Sequence, residues 1–257
     1  MLKVHPLPAF SDNYIWVLQV DGSNRVAVVD PGDASPVTDY LSAHDLALEA
    51  ILITHHHPDH TGGVEELAAT TGAKVYGPAQ SPFQRIDQGL NNGDRIEVLG
   101  LPFQVAAVPG HTLDHISYLQ ENHPARLFCG DTLFLAGCGR LFEGTPKQMR
   151  AAMTWFKSLP DETKVYCAHE YSLANLKFAA AVEPGNARIT EKIEECQGLR
   201  AQERPTVPSS IGVEKAINPF MRTDQPAVSD AASKRAGTPL DSEDQIFSVI
   251  RQWKDNF

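Results

Sequence analysis

A cluster of histidines directly after a short apolar run is the feature that most restricts how this chain can fold. Residues 54–60 read Thr-His-His-His-Pro-Asp-His and follow the run 51–53, Ile-Leu-Ile. A short run rich in β-branched residues is typical of a buried strand, which predicts a strand that ends at the cluster. In an extended chain His55 and His57 point to one side and His56 to the other. Because open α/β sheets bind ligands where strands end, we interpret the segment as a metal site rather than an exposed histidine-rich turn.

The same arrangement, an apolar run followed by a histidine or an aspartate, recurs three times downstream. The run 105–108 precedes His111, the run 127–129 precedes Asp131, and the run 165–168 precedes His169. An accidental histidine-rich turn would not be accompanied by further donors at the ends of other strands. The four segments together supply seven candidate ligands, namely His55, His57, Asp59, His60, His111, Asp131 and His169.

Seven ligands are more than one metal ion needs. A catalytic zinc ion takes three protein ligands plus water, so seven ligands suit two ions that share one carboxylate. We expect Asp131 to be the shared ligand, because a carboxylate has two oxygens and an imidazole cannot bridge in this way. All seven donors are nitrogen or oxygen, with no soft thiolate to select one ion. Zinc is therefore the default prediction, and iron or manganese would fit the same donors.

Charge and hydropathy exclude several classes of protein. The 257 residues include 22 basic and 32 acidic side chains, a formal net charge of −10, which argues against a nucleic-acid surface. No window approaches the ~20 apolar residues of a membrane span, and the first residues lack the segments of a signal peptide. The four cysteines form no C-x-x-C pair, so we expect free thiols in a reducing compartment. These features predict a cytoplasmic protein without a nucleic-acid or membrane partner, and we expect it to be a monomer.

Hydrophobic periodicity predicts a chain with two different halves. Strands are expected at 13–20, 26–30, 51–54, 74–77, 95–99, 103–108, 115–119, 126–130 and 164–168. Helices are expected at 36–44, 64–71, 145–158, 172–182, 187–203 and 242–254, with a Pro/Ser-rich connector at 205–212. Strand patterns almost vanish after residue 171. We therefore predict a β-rich first domain, residues 1–172, and a helical second domain, residues 173–257.

The motifs at the strand ends resemble those of a known superfamily. H-x-H-x-D-H at 55–60, followed by P-G-H-T, G-D-T and A-H-E, is similar to the metallo-β-lactamase superfamily. Within it the chain resembles glyoxalase II, the hydroxyacylglutathione hydrolases, over nearly its whole length. The segments that carry the resemblance to glyoxalase II are 137–144, 169–171, 175–178, 183–186 and 251–257.

The resemblance implies a fold and a set of metal ligands. The fold is α+β, an αββα sandwich that forms the metal-binding catalytic domain, with a C-terminal helical domain that contributes to glutathione binding. His55, His57 and His111 would hold the first ion, and Asp59, His60 and His169 the second, with Asp131 bridging. Metal binding would lower the pKa of a water between the ions from its value in bulk water to near neutrality, so that this water would act as the nucleophile. Asp59 and Asp131 are the catalytic residues in this prediction.

The resemblance also implies a set of substrate-binding residues. In glyoxalase II a basic residue of the C-G-K/R segment and a basic pair on the last helix hold the glycine carboxylate of glutathione. Arg140, Arg251 and Lys254 match these positions, and Tyr171 matches a tyrosine that lies along the substrate. Spacing alone would favour a solvated helix face for Arg251 and Lys254. Phe142 stands where some members carry Tyr, and Arg140 where they carry Lys.

The resulting hypothesis is a thioester hydrolase that converts S-D-lactoylglutathione and water to D-lactate and glutathione. The first alternative is a glutathione persulfide dioxygenase with a single iron, which shares the front motifs but typically lacks the C-terminal helical domain. The second alternative is a protein that stores or senses metal without catalysis. Residues predicted to bind substrate argue against that second alternative.

Other conspicuous residues have simpler interpretations. Five further histidines are expected at the surface or behind the ligands, namely His5, His44, His56, His115 and His123. Asp30, which ends an apolar run, either braces the metal-binding loop from a buried position or is a turn aspartate.

Overall fold

Apolar, β-branched segments build the first sheet of the protein. The computed structural model describes all residues from Met1 to Phe257 and contains two compact units, 1–107 with 114–130 and 108–113 with 131–257. The first sheet lies in the first unit, and its strands are hydrogen-bonded in chain order. They are β1 (Leu2–Ala9), β2 (Asn13–Val20), β3 (Arg25–Val29), β4 (Ala47–Leu52), β5 (Lys74–Pro78) and β6 (Gln88–Leu90).

The first sheet is antiparallel at one side and parallel at the other. β1, β2 and β3 pair antiparallel, whereas β3, β4, β5 and β6 pair parallel. Parallel strands need crossover connections. Helix α1 (Ala34–His44) connects β3 to β4, and α2 (Pro58–Thr61) with α3 (Val64–Thr71) connects β4 to β5. Ile51 of β4 shares one buried apolar cluster with Val37 of α1 and Leu67 of α3, so the helices cover this face of the sheet.

A second group of antiparallel strands completes the first unit. These strands are β7 (Arg95–Val98), β8 (Leu101–Ala107), β9 (Ile116–Gln120) and β10 (Arg126–Gly130), and each pairs with the next. Phe103 of β8 and Phe128 of β10 are fully buried, with ring centroids 6.4 Å apart. The hydroxyl of Tyr118 in β9 donates to the carbonyl of Ile53 at 2.8 Å, which ties this group to the strand that leads into the histidine cluster.

The second unit is mainly helical. It contains β11 (Leu133–Phe134), β12 (Gly137–Cys138), α4 (Pro146–Lys157), β13 (Lys164–Cys167), α5 (Ser172–Val182), α6 (Ala187–Arg200), β14 (Ser209–Ser210), α7 (Ile211–Ile217), a 3₁₀ turn (Pro219–Met221), α8 (Pro226–Ala236) and α9 (Glu243–Asp255). Thr145 and Gln148 form a capping box that fixes where α4 begins. The rings of Phe178, Phe220 and Phe247 pack together between helices. None of the helices combines the length and apolar character that crossing a bilayer requires.

All the predicted strands and helices are present, and the structure also contains elements that were not predicted. β1 was not predicted because its sequence contains Pro6 and Pro8, yet prolines are tolerated in an edge strand such as this one. The predicted connector 205–212 contains β14 and the start of α7. α8 was also missed, because its sequence, PAVSDAASKRA, buries only Val228 and Ala232 and has little apolar periodicity.

Candidate metal centre

The four donors of the first cluster lie in a loop and one short helix after β4. His57 is the N-cap residue of α2, and Asp59 and His60 lie within that helix. The Nε2 atom of His55 lies 3.1 Å from the Nδ1 atom of His57. The Nε2 atom of His60 lies 3.5 Å from Oδ2 of Asp59. His56 contacts a different residue, because its Nδ1 lies 2.9 Å from Oδ1 of Asp114.

The buried carboxylate of Asp30 contacts the loop that carries these donors. Asp30 is almost fully buried, and it accepts hydrogen bonds from the backbone N–H and the hydroxyl of Thr54, both at 2.7 Å. Its Oδ2 also lies 3.1 Å from Nδ1 of His60. His115 is fully buried and stacks on His55, with ring centroids 4.6 Å apart and planes inclined by 14°. Asp30 therefore braces the loop, and His115 lies behind His55 rather than at the surface.

Asn13 is a functional candidate that the sequence analysis missed. It is the first residue of β2, it is buried, and its side-chain amide donates to Oδ2 of Asp59 at 3.0 Å. An amide that donates to one carboxylate oxygen limits rotation of that carboxylate and leaves the other oxygen for a different partner. Outer partners of this kind orient metal ligands. Nothing in the sequence linked Asn13 to Asp59.

Replacing Asn13 tests this contact directly. If Asp59 binds a metal ion as predicted, we expect Asn13→Ala to lower the affinity for that ion by about 10- to 100-fold, the usual effect of removing an outer partner. The measurement is a competition titration of each protein with a chromogenic zinc chelator. Asn13→Asp is the matched control of similar size, and it should weaken binding as well because it has no donor for Asp59. Unchanged affinity in both variants would contradict a role for Asn13 in orienting Asp59.

The second unit holds three further donors in direct proximity. His111, Asp131 and His169 are all buried, with 4 to 6% of their surface exposed. The Oδ2 atom of Asp131 lies 3.4 Å from Nε2 of His111 and 3.3 Å from Nε2 of His169. One carboxylate oxygen thus lies between two imidazoles. The structure brings these three predicted residues together.

The tautomer of His111 is set by a backbone group. Its Nδ1 lies 2.8 Å from the carbonyl oxygen of Arg140, which can only accept, so Nδ1 carries the hydrogen. Its Nε2 is then left as a lone-pair donor on the side of Asp131. Gly139 allows its segment to pack closely against Asp131 and His111. A Cβ atom at position 139 would lie 2.0 Å from the carbonyl oxygen of Asp131 and 3.1 Å from Nδ1 of His111. This close packing explains why the sequence Gly-Cys-Gly-Arg has a glycine at position 139.

The donor atoms fit metal ions. Both units contain His and Asp side chains that could hold a metal ion, namely His55, His57, Asp59 and His60 in the first and His111, Asp131 and His169 in the second. Zinc bonds to imidazole nitrogen and carboxylate oxygen are about 2.0–2.2 Å long, so two donors at a tetrahedral angle lie roughly 3.3–3.6 Å apart. The contacts of Asp131 with His111 and His169, at 3.4 and 3.3 Å, match that separation.

Three of the predicted substrate residues are accessible in the second unit. Tyr171 is 38% exposed and stacks on the His169 ring, with centroids 4.6 Å apart and planes inclined by 5°. Phe142 is 62% exposed and meets the His111 ring edge-on at 5.3 Å. Arg140 is exposed, and its Nε lies 3.5 Å from Oδ1 of Asp255. Tyr171 and Phe142 therefore each present an aromatic surface beside one imidazole that is predicted to bind metal.

The basic pair on α9 is more buried than a solvated helix face would be. Arg251 is only 5% exposed, and it donates to the carbonyl of Cys138 at 2.8 Å and to Asp255 at 2.9 Å. The ammonium group of Lys254 lies 5.3 Å above the Phe178 ring. Burial, reinforced by the nearby positive charge of Arg251, lowers the pKa of Lys254 to about 8. A partly desolvated cation attracts an anionic group more strongly than an exposed one does.

Comparison with known proteins agrees with this geometry. The family model of the Metallo-beta-lactamase superfamily matches residues 10–169, and that of the Hydroxyacylglutathione hydrolase C-terminus matches residues 170–257. A hydroxyacylglutathione hydrolase of Pseudomonas aeruginosa (strain LESB58) is 52% identical over 258 residues, which cover 100% of both chains. The chain belongs to the hydroxyacylglutathione hydrolase family. The family member of Chromohalobacter salexigens is 50% identical over 257 residues, again covering 100% of both chains.

Solved structures confirm the fold class. ETHE1 from Myxococcus xanthus matches with a TM-score of 0.68 and 26% identity, over 98% of this chain and 91% of its own. The BLEG-1 B3 metallo-beta-lactamase matches with a TM-score of 0.62 and 25% identity, over 86% of this chain and 99% of its own. This hydroxyacylglutathione hydrolase family member therefore has the metallo-β-lactamase fold with the C-terminal helical domain that the sequence predicted.

Proposed function

We propose that this chain hydrolyses S-D-lactoylglutathione to D-lactate and glutathione, a step of methylglyoxal detoxification. The observation that carries the proposal is the position of Asp131 Oδ2 between the imidazoles of His111 and His169. Arg140 and Tyr171 are exposed in the same unit and offer contacts for a bound molecule. The relatives named above are hydroxyacylglutathione hydrolases, which supports a glutathione thioester as the substrate class.

We propose two divalent ions per chain, zinc by default, with iron or manganese also compatible with the donors. His55, His57 and His111 would hold one ion, and Asp59, His60 and His169 the other. Asp131 would contribute to both, which fits its nearly equal distances from His111 and His169. When bound, such a pair of ions lowers the pKa of water toward neutrality and polarises a carbonyl oxygen.

The protein's own groups would bind and orient the substrate. Arg140, Arg251 and Lys254 would attract the glycine carboxylate of glutathione, and the cation of Lys254 is partly desolvated by its position over Phe178. Tyr171, stacked on His169, would lie along the bound peptide, while exposed Phe142 would contribute apolar contact without a hydroxyl donor. The Nδ1–H of His111 is held by the Arg140 carbonyl, which couples the substrate-binding segment to a metal ligand.

No side chain is expected to become acylated. All four cysteines are buried, and burial raises the pKa of Cys138 above its usual value, that of Cys167 to about 12 and that of Cys196 to about 11. Such thiols are poor nucleophiles at neutral pH. The leaving thiolate has a conjugate thiol pKa near ~8.5, so its departure needs little protonation. Single turnover in ¹⁸O-water should place one labelled oxygen in the lactate carboxylate, and a lactoyl adduct that forms and decays at the turnover rate would contradict direct attack by water.

A paired assay separates this function from its main alternative. Thiol release from S-D-lactoylglutathione and oxygen consumption with glutathione persulfide are measured on the same protein preparation. We expect thiol release without oxygen consumption, because the family model of the hydroxyacylglutathione hydrolase C-terminus matches residues 170–257. Lactoyl-coenzyme A is the control thioester, and its kcat/KM should be far lower because it lacks the glycine carboxylate. Oxygen consumption without thioester turnover would favour the dioxygenase.

We further propose that residues 1–172 form the catalytic domain and residues 173–257 a helical domain that contributes to glutathione binding.

The acidic net charge of −10 supports a small-molecule substrate rather than a nucleic acid. The absence of disulfides among the buried cysteines supports a reducing, cytoplasmic compartment. We propose a monomer that works away from membranes, and light scattering of the purified protein tests its oligomeric state.

A further inference from the structure

Side chains from distant segments hold the turn between β11 and β12, in addition to the backbone pairing of its two strands. Asn175 of α5 donates to the carbonyl of Leu135 at 3.0 Å. Glu214 of α7 accepts the backbone N–H of Ala136 at 2.8 Å. Asn218, which follows α7, donates to the carbonyls of Phe134 and Gly137 at 3.2 and 2.9 Å. We call Asn175, Glu214 and Asn218 the buried clamp, since at most 2% of each is exposed.

Glu214 is the member of the buried clamp whose burial costs the most free energy, because it is the only ionisable one. It is fully buried, and its partners are neutral donors: the N–H of Ala136, the amide of Asn218 at 3.0 Å and the hydroxyl of Ser209. Burial raises its pKa to about 7, so the neutral acid is readily populated near neutral pH. A buried carboxylate without a cation contributes little to stability compared with an apolar side chain of similar size. The hydrogen bonds that Glu214 accepts from Ala136 and Asn218 therefore point to a role other than filling space.

The turn leads directly into the substrate-binding segment. Arg251 fixes the carbonyl of Cys138 at 2.8 Å, immediately after the turn. The next residues are Gly139, whose N–H donates to Thr132 at 3.2 Å, and Arg140, whose carbonyl receives the Nδ1–H of His111 at 2.8 Å. A shift of the turn would thus move the Arg140 side chain, whereas the hydrogen bond from His111 keeps the Arg140 carbonyl in place.

We propose that Glu214 and Asn218 are positioning residues that hold the β11–β12 turn, and through it Arg140, in the conformation that binds the glutathione part of the substrate. This inference rests on the proposed function for the identity of the ligand. Ala136 has φ of +53° at the centre of the turn, a left-handed conformation that favours glycine, so the chain must be held there by its surroundings. The buried clamp supplies that restraint through one bond to each of the four turn residues.

The test compares Glu214→Leu with Glu214→Gln. Leucine has a similar size but removes the acceptor for Ala136 and Asn218. Glutamine keeps an oxygen for both, and the hydroxyl of Ser209 can reverse to accept from its amide. Because the Arg140 contact is made equally in ground and transition states, Glu214→Leu should raise KM for S-D-lactoylglutathione about tenfold with kcat nearly unchanged. Glu214→Gln should stay close to the wild type, and neither variant should change KM for lactoyl-coenzyme A.

Two further measurements do not depend on turnover. Hydrogen exchange of the peptide 133–140 should be faster in Glu214→Leu and normal in Glu214→Gln. Calorimetric titration with S-methylglutathione, which cannot be hydrolysed, should show a Kd about tenfold higher in Glu214→Leu alone. Asn175→Ala, which removes a single hydrogen bond to the turn, is a milder substitute if Glu214→Leu does not fold.

The outcomes separate this inference from the proposed function. Absence of thioester turnover in the wild type, with S-methylglutathione bound and weakened as predicted, would overturn the proposed function and keep the positioning role. Faster exchange with unchanged KM and Kd would overturn the positioning role. An equal loss of activity on both thioesters, in step with a lower Tm, would show that the buried clamp is only structural.

Discussion

Asp131→Ala is expected to lower the metal content of the protein strongly and to abolish thioester turnover. Its Oδ2 lies 3.4 Å from His111 and 3.3 Å from His169, so the substitution removes a ligand shared by both proposed ions. Losing a single charge-stabilising group in an active site costs about 10²–10³ in rate, and we expect a fall in kcat/KM of at least roughly 1000-fold. Mass-spectrometric metal analysis of the purified protein gives the occupancy.

His169→Ala is the matched control for Asp131→Ala. It removes a ligand of similar burial that we assign to the second ion alone, so about one ion should remain per chain. Circular dichroism and Tm of both variants report whether the fold survives. Two ions retained by Asp131→Ala, or both ions lost from His169→Ala, would contradict the bridging assignment.

The second large effect concerns Lys254 and pH. Its pKa is lowered to about 8, mainly by burial and then by the charge of Arg251. Lys254 carries its charge below that pH and loses it as pH rises through about 8, so the attraction for the glycine carboxylate disappears in the same range. We expect kcat/KM of the wild type to fall on the alkaline side by roughly 10- to 100-fold, the range for one charge-assisted contact.

Two variants separate this titration from others in the active site. Lys254→Met removes the charge, so its kcat/KM should be low at pH 7 and lack the fall near pH 8. Lys254→Arg stays charged throughout this range, so it should lack the fall while keeping substantial activity. In both, the change should appear in KM rather than kcat. A Lys254→Met profile that parallels the wild type would refute the assignment of this fall to Lys254.

The positions of the candidate ligands at strand ends were predictable because they depend on local pattern. Each apolar run ends at its His or Asp, and the distance along the chain from run to donor is a few residues. A strand that is buried on both faces consists of consecutive apolar residues. The first polar residue after such a run therefore marks the end of the strand in the sequence. The helices α4, α5 and α9 were predicted for a similar reason, since Pro146, Ser172 and Ser242 mark where they begin.

The supporting contacts were not predictable, because they join residues far apart in the chain. Asn13 and Asp59 are 46 residues apart, and Glu214 and Ala136 are 78 residues apart. A side chain's type shows that it can donate or accept, but not which partner tertiary folding will bring to it. The burial of Arg251 was missed for a related reason. Periodicity predicts which residues share a helix face, whereas the segment that covers that face comes from residues Cys138 and Gly139.

Reconstitution of the metal-free protein tests the central claim most directly. Zinc is added in steps to protein stripped with a chelator, while bound metal and hydrolysis of S-D-lactoylglutathione are measured on the same samples. The account predicts that tight binding saturates at about two ions per chain and that full thioester turnover, with one D-lactate per free thiol, requires both. Saturation of metal and activity at one ion per chain, or turnover that persists without added metal, would contradict it.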